Sequence, residues 1–435
     1  MIQRPIRRAF KRVRAARVRH FFRELGPGLI TGAADDDPSG ISTYSVSGAA
    51  FGYSQLWTAL VSFPLMTAVQ LMCARLGMVT GVGLAGVVRR RYSRTVLWGA
   101  CLLLVVANTI NIGADLGGMA EATSMITGLS GYLWLPLFAL LIVGLLVWTS
   151  YRHIARIFKW LTLVLFAYVI TAFLARPNWS DVLASTFLPR LTFSASYIAT
   201  VLGVFGTTIS PYLFFWQAAQ EVEEERKLGR LTVHSRRGAT DEELRVARSD
   251  VLTGMAFSNL AMYFIILTTG ATLHVSGHRD IETARQAAEA LRPLAGDSAY
   301  LLFTLGMVGT GMLGVPVLAG SAAYAISEAM HWRGSLADRP RRAPKFYAVL
   351  AIAVALGLLL NYLQINAVRM LFWAAVVNGM LAPPLIVLLT LLSSDPTVMG
   401  EKTNPPLLRW LGWITALVMT TATIAMIGAW LVGRT

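Results

Sequence analysis

The chain has 435 residues, is 55% hydrophobic and only 14% charged, and its apolar residues come in runs of about twenty rather than at amphipathic spacing. That composition excludes an ordinary water-soluble domain and a disordered chain, and it places the protein in a bilayer. A formal charge of +15 would suit nucleic acid, but the basic residues crowd between Arg4 and Arg23 and in the gaps between apolar runs, the pattern of membrane topology.

Residues 1–24 form a basic segment, and Gly26-Pro27-Gly28 then leads into three aspartates rather than the apolar core of a cleaved signal, so the first span is expected to be retained. Eleven spans are read at 25–50, 54–78, 96–119, 131–150, 155–175, 195–218, 252–274, 299–325, 346–363, 367–392 and 408–432, and they are numbered in that order. Arg89, Arg90, Arg91 and Arg94, then Arg152, Arg156 and Lys159, then the 220–250 segment, then Arg333, Arg339, Arg341, Arg342 and Lys345 all share the side of the N-terminus. The positive-inside rule makes that side cytoplasmic, with the C-terminus opposite, in a multi-pass protein of the cell membrane.

Span 1 contains Ala34-Asp35-Asp36-Asp37-Pro38-Ser39-Gly40. A charge at this depth costs about 2.5 to 3.5 kcal/mol unless it faces water or a bound ion, so three adjacent carboxylates are not ordinary packing. Pro38 has no N–H, which leaves the carbonyl of Ala34 without its helical partner, and the ring pushes Asp37 away from helical dihedrals. The break offers one carboxylate and one free carbonyl, and Ser39 and Gly40 lower the cost of leaving the helix. In spans 2 and 3, Cys73 and Cys101 behave as small hydrophobes and suggest neither a disulfide nor a thiolate metal site. Gly81-Val82-Gly83-Leu84-Ala85-Gly86 and, in span 8, Gly309-Thr310-Gly311-Met312-Leu313-Gly314 match G-x-G-x-x-G without a preceding strand, and both read as close helix packing.

Span 6 repeats the break in Gly206-Thr207-Thr208-Ile209-Ser210-Pro211-Tyr212, where Pro211 frees the carbonyl of Thr207. Two proline-interrupted spans at matching places in two halves point to an inverted-repeat transporter with its site at the bilayer midplane. Unwound backbone is not tolerated against lipid, so both breaks should line an internal cavity. Pro64 and Pro316 read as plain kinks. The 220–250 segment, with Glu221, Glu223, Glu224 and Glu225, reads as a solvated loop, and Thr240 with Glu243 has capping-box spacing for a short helix leading into span 7. Ile281, Ala284, Ala288 and Leu291 share one face of a short amphipathic helix that ends near Pro293. His20, His153, His234, His274, His278 and His331 fall in loops or at span ends, and no H-E-x-x-H occurs, so no imidazole metal site is expected inside the membrane. Asn108, Asn111 and Asn259 read as hydrogen-bonding groups between packed helices. Asn378 in span 10, beside Gly379 and before Pro383-Pro384, either reaches the cavity or does the same.

In these segments the chain resembles the Nramp family of divalent metal transporters. The likeness rests on Gly26-Pro27-Gly28, Asp37-Pro38, Ala74-Arg75-Leu76-Gly77-Met78-Val79-Thr80-Gly81, Asp250 with Gly254-Met255 and Ser258-Asn259, and the stretch from Ala287 to Leu294, in order. The resemblance implies an all-α polytopic membrane protein of leucine-transporter-type fold: two inverted five-helix repeats, 25–175 and 195–392, an eleventh helix at 408–432, and discontinuous spans 1 and 6. It further implies metal binding by Asp37 and by the carbonyls of Ala34 and Thr207. Where the family carries Asp-Pro-Gly-Asn and Ala-Thr-Val-Met-Pro-His, this chain has Asp37-Pro38-Ser39-Gly40 and Thr207-Thr208-Ile209-Ser210-Pro211-Tyr212, so Ser210 replaces a thioether. A soft sulfur favours transition metals, whereas carboxylate, carbonyl and hydroxyl oxygens suit Mg²⁺, Ca²⁺ and Mn²⁺. Gly40 and Ser210 leave room for a partly hydrated ion.

Tyr212 stands where the family has a histidine, and a phenol of pKa ~10 does not titrate at physiological pH. Asp115 keeps a place similar to the family's third-span proton path, while Gly118 stands for its following acidic residue. The expectation is thus a secondary transporter of a divalent cation, Mg²⁺ or Mn²⁺, with Asp35, Asp36, Gly40, Tyr212 and Asn378 around the cavity. It needs no resident cofactor, and its partners are the cation and the bilayer, not nucleic acid. A different class is a relative that has lost metal transport and carries another solute or acts as a sensor or scaffold. No nucleophile–base pair appears on the spans, so an enzyme is not expected.

Overall fold

The computed structural model describes residues 26–149 and 163–431; the basic segment 1–24, the predicted loop cations Arg152, Arg156 and Lys159, and the start of span 5 lie outside the described residues. Among the described residues there is no strand, and nine helices are long and apolar enough to cross a membrane. They are spans 2 to 4 and 6 to 11. Span 1, broken into Pro27–Asp35 and Pro38–Phe51, is missing from that set because Asp35, Asp36 and Asp37 interrupt its apolar run, and span 5 is represented by Phe166–Leu174.

The packing is that of two inverted five-helix repeats. Span 7 lies along both halves of span 1, span 2 lies along both halves of span 6, and span 3 lies against span 8. Exchanging 1 with 6, 2 with 7 and 3 with 8 maps each pair onto another or onto itself. The most apolar stretch of span 6 is 89% buried inside the protein, against 28% for span 4 and 22% for span 11. The broken helix is therefore central, and spans 4 and 11 form part of the lipid-facing wall. Helix approach at the centre depends on small residues: a Cβ on Gly32 of span 1 would lie 2.2 Å from the Gly254 carbonyl oxygen of span 7.

Several helices overrun their apolar windows, because capping and partners outside the bilayer extend them. Span 7 is one continuous helix, Asp241–Thr269, behind a complete Thr240–Glu243 capping box, rather than a span led in by a separate short helix. The second half of span 6 runs from Pro211 to Lys227. This corrects the reading of 220–250 as a solvated loop from its start. Glu221, Glu223 and Glu225 are buried on that helix, where Glu221 accepts from Gln217 at 2.8 Å and Glu223 from Ser335 at 2.7 Å. The short helix Ala284–Ala288 forms as expected, and Ile281, Ala284, Ala288 and Leu291 are all buried. Cys73 and Cys101 are free and buried, and Pro64 and Pro316 lie inside continuous helices.

The first G-x-G-x-x-G is not simple helix packing. Gly81 ends span 2 in the left-handed region at φ +67, and Gly83 starts the helix Leu84–Arg91. The N–H groups of Gly83 and Gly86 donate to the Glu328 carboxylate at 3.0 and 2.9 Å, so a turn able to cradle an anion holds a side chain of span 8. The loops after spans 2, 6, 8 and 10 meet at this end of the molecule. Arg236 donates to the Gly81 carbonyl at 3.1 Å, Arg91 pairs with Asp395 at 2.8 Å, and Lys402 pairs with Asp241 at 2.6 Å.

Candidate functional site

Pro27 opens span 1 in its first turn, and Asp250 of span 7 fixes that end, its Oδ2 accepting from the Gly28 N–H at 2.6 Å. A carboxylate at a helix N-terminus satisfies one of the unpaired donors there and complements the helix dipole. One turn short of the break, Thr31 donates to Gln217 of span 6 at 2.5 Å, and Gln217 in turn donates to Glu221. The helix stops at Asp35. Asp36 leaves it at φ −87, ψ 52, and Asp37 is extended at φ −69, ψ 174, as the residue before a proline should be.

Asp37 has two distinct oxygens. Oδ1 caps the second half of span 1, accepting from Ser39 Oγ at 2.6 Å and from the Gly40 N–H at 2.9 Å. Oδ2 accepts from the Tyr212 hydroxyl at 3.3 Å. The same hydroxyl lies 3.1 Å from the Ala34 carbonyl oxygen, the group that Pro38 leaves without a helical donor. Ser39 also links Asp37 to span 3, because its backbone N–H donates to Asp115 Oδ1 at 3.2 Å. Asp115 Oδ2 has no hydrogen-bond partner among the described residues.

Asp35 and Asp36 turn to span 7 instead. Ser258 Oγ lies 2.5 Å from Asp35 Oδ2 and 3.3 Å from Asp36 Oδ1. No group of three His, Cys, Asp or Glu side chains placed to hold a metal occurs among the described residues. Of the acids at the break, Asp37 is the one that shares a donor with a backbone carbonyl.

The second break is built differently. Helix Ala195–Thr208 ends at Ile209, φ −118, ψ 53, and Pro211 starts the next half. Ser210 Oγ lies 2.8 Å from the Gly206 carbonyl oxygen and 2.6 Å from that of Thr207. The Thr207 carbonyl thus loses its donor to Pro211 and gains one from Ser210. The two expected ligands of span 6 are in contact, and the bond uses the proton of Ser210 while leaving lone pairs on its oxygen.

The two breaks touch through Gly40, where a Cβ would come 3.2 Å from Thr207 Oγ1. Span 8 closes the wall: a Cβ on Gly314 would lie 2.9 Å from Asp37 Cβ and 3.8 Å from Asp115 Oδ2. The second G-x-G-x-x-G is thus close packing as read, and its last glycine sits against the acid. Ala34, Asp35, Asp36, Asp37, Asp115, Thr207, Ser210, Tyr212 and Asn378 are at most 4% exposed. The site residues are enclosed by protein.

Asn108 bonds the Leu318 carbonyl and Ser321 across to span 8, and Asn259 accepts from Ser62, as expected of residues joining helices. Asn111 and Asn378 are buried with no side-chain partner among the described residues. Ser258, Gly314 and Gln217 were not singled out as site residues by the sequence reading. Ser258 was visible only within a family-like segment, Gly314 only as a packing glycine, and Gln217 carried no signal of its own.

A profile of the family described as natural resistance-associated macrophage protein-like matches residues 28–429. The chain is 28% identical over 404 residues to the divalent metal cation transporter MntH of Aeromonas hydrophila, covering 91% of this chain and 93% of that protein. The corresponding MntH of Mesorhizobium japonicum is 26% identical over 417 residues, 92% of this chain and 87% of its own length. Among solved structures, a manganese transporter of Eremococcus coleocola superposes with a TM-score of 0.76 at 20% identity, covering 94% of this chain and 88% of that one. The transporter MhsT, solved with L-phenylalanine, reaches 0.61 at 14% identity over 94% and 98% of the two chains.

Proposed function

This chain belongs to the natural resistance-associated macrophage protein-like, or Nramp, family, and from that premise we propose that it is a secondary transporter of divalent metal cations whose site is altered toward the hard ions Mg²⁺ and Mn²⁺. The cation is cargo, carried by alternating access. The relatives named as divalent metal cation transporters support the cargo class. One observation carries the site: the buried Asp37 carboxylate and the Ala34 carbonyl, freed by the same proline, converge on one hydroxyl at 3.3 and 3.1 Å.

In this reading Asp37 is the principal ligand. Its Oδ1 is held by Ser39 and Gly40, and its Oδ2 meets the Tyr212 hydroxyl that also meets the Ala34 oxygen. The Thr207 carbonyl and Ser210 hydroxyl supply further oxygens from span 6. All four donors are oxygen, the set that suits Mg²⁺ and Mn²⁺ better than soft metals. Asp35 and Asp36, which meet the same Ser258 hydroxyl, lie beside the site without being its ligands. The C-terminal carbonyl ends of the two half-helices Pro27–Asp35 and Ala195–Thr208 favour a cation where they end. The loops gathered around Arg89, Arg236 and Lys402 are assigned to the cytoplasm by their positive charge, with the C-terminus on the far side.

Flux into proteoliposomes with Mg²⁺, Mn²⁺ and Ca²⁺, with and without a pH gradient, tests the proposal. Uptake of Mg²⁺ or Mn²⁺ should be saturable, and Asp37→Ala should bring it to the level of protein-free vesicles. Unchanged uptake in that variant would overturn the site. No flux and no calorimetric binding of any of the three ions would favour a relative that senses or scaffolds instead.

A further inference from the structure

We propose that Tyr212 is a cation-operated latch: its hydroxyl sits at the point on which Asp37 and the Ala34 carbonyl converge, and a divalent cation must displace it to bind. The proposal rests on the assignment of Asp37 and Ala34 as ligands and adds how that site is held closed. Tyr212 lies in the first turn of the half-helix Pro211–Lys227, next to the break of span 6, while its two acceptors flank the break of span 1. The contact therefore ties the broken ends of the two discontinuous helices to each other.

Its strength is limited by proton count. A neutral phenol has one proton, so it can satisfy only one of its two acceptors at a time. Both distances, 3.1 and 3.3 Å, exceed the usual O–H···O separation of about 2.7 to 2.8 Å. A divalent ion, by contrast, draws in several oxygens at once at about 2.0 to 2.6 Å. The phenol is a weaker partner for Asp37 Oδ2 than the ion is, and it loses the exchange. The Tyr212 side chain is only 1% exposed, so the ring is enclosed by protein and cannot swing out into solvent. Displacing its hydroxyl moves the half-helix that carries it, which gives cargo binding a direct mechanical consequence at span 6.

A hydroxyl that competes with the cargo and a hydroxyl that coordinates it give opposite results on removal. In Tyr212→Phe the ring that fills the space is kept and the competing donor is lost. Mn²⁺ and Mg²⁺ titrated calorimetrically into the detergent-purified protein should bind about two- to tenfold more tightly, the worth of one ordinary hydrogen bond. In proteoliposomes the KM for Mn²⁺ should fall without a matching rise in maximal rate, because the tighter ion also leaves more slowly. A merely structural loss would lower the rate and leave the dissociation constant unmoved. Weaker binding in Tyr212→Phe would make the phenol a ligand, and an unchanged constant would remove it from the site; either overturns the latch. Asp37→Ala separates this from the parent assignment. If it retains parental binding, the site itself is misplaced; if it abolishes binding while Tyr212→Phe fails to tighten it, the site stands and the latch falls.

Discussion

The two helix breaks arise from the same residue, a proline that removes one donor, yet they are repaired in opposite ways. At the second break the repair is local: Ser210 reaches back one turn to the Gly206 and Thr207 carbonyls. At the first it comes mostly from elsewhere, with Tyr212 from span 6 on Ala34 and Asp37, Asp115 of span 3 on Ser39, and Ser258 of span 7 on Asp35 and Asp36. A break that mends itself keeps its repair within its own span. A break mended by three other spans registers their positions, and that is where binding an ion has the greatest leverage on the fold.

This contrast can be tested by substitutions outside the aspartates. After Asp37→Ala, the largest effect is expected from Gly314→Val, since even a Cβ there lies 2.9 Å from Asp37 Cβ. Overpacking of about 1 to 3 kcal/mol falls on the acid itself, and uptake should drop about tenfold or more. Parental uptake in that variant would show that span 8 is not the wall of the site. Next comes Ser258→Ala, which strips the shared donor from two buried carboxylates. A loss of about 1 to 3 kcal/mol is expected, read as a lower thermal midpoint in detergent. If the midpoint stays put, Asp35 and Asp36 are not supported through Ser258. The smallest effect belongs to the self-mended break: Ser210→Met should raise the ratio of Mn²⁺ to Mg²⁺ uptake if the serine oxygen is a ligand. An unaltered ratio would reduce the second break to a hinge.

The pair of breaks was legible in sequence because its causes are local. A missing N–H and three carboxylates in an apolar run mean the same thing in any fold. The self-repair by Ser210 was hidden for the opposite reason, since a serine before a proline can equally face a cavity or turn back on its own helix. Tyr212 was placed near the cavity from its position, but its choice of Ala34 and Asp37 depends on how two half-helices meet. The acidic run after span 6 misled because charge density suggests water, whereas Glu221 and Glu223 find hydrogen-bond donors in Gln217 and Ser335. The glycine turn after span 2 misled because its ligand, Glu328, lies far along the chain.

That turn has a mechanical meaning. Glu328 is fastened to Gly83 and Gly86 at one end of span 8, while Gly314 of the same helix presses on Asp37. Fourteen residues of helix make an arm of about 21 Å, and Pro316, which lies inside it two residues past Gly314, has no N–H with which to hold the preceding turn. One helix thus joins the loop between spans 2 and 3 to the acid, although that loop never touches it.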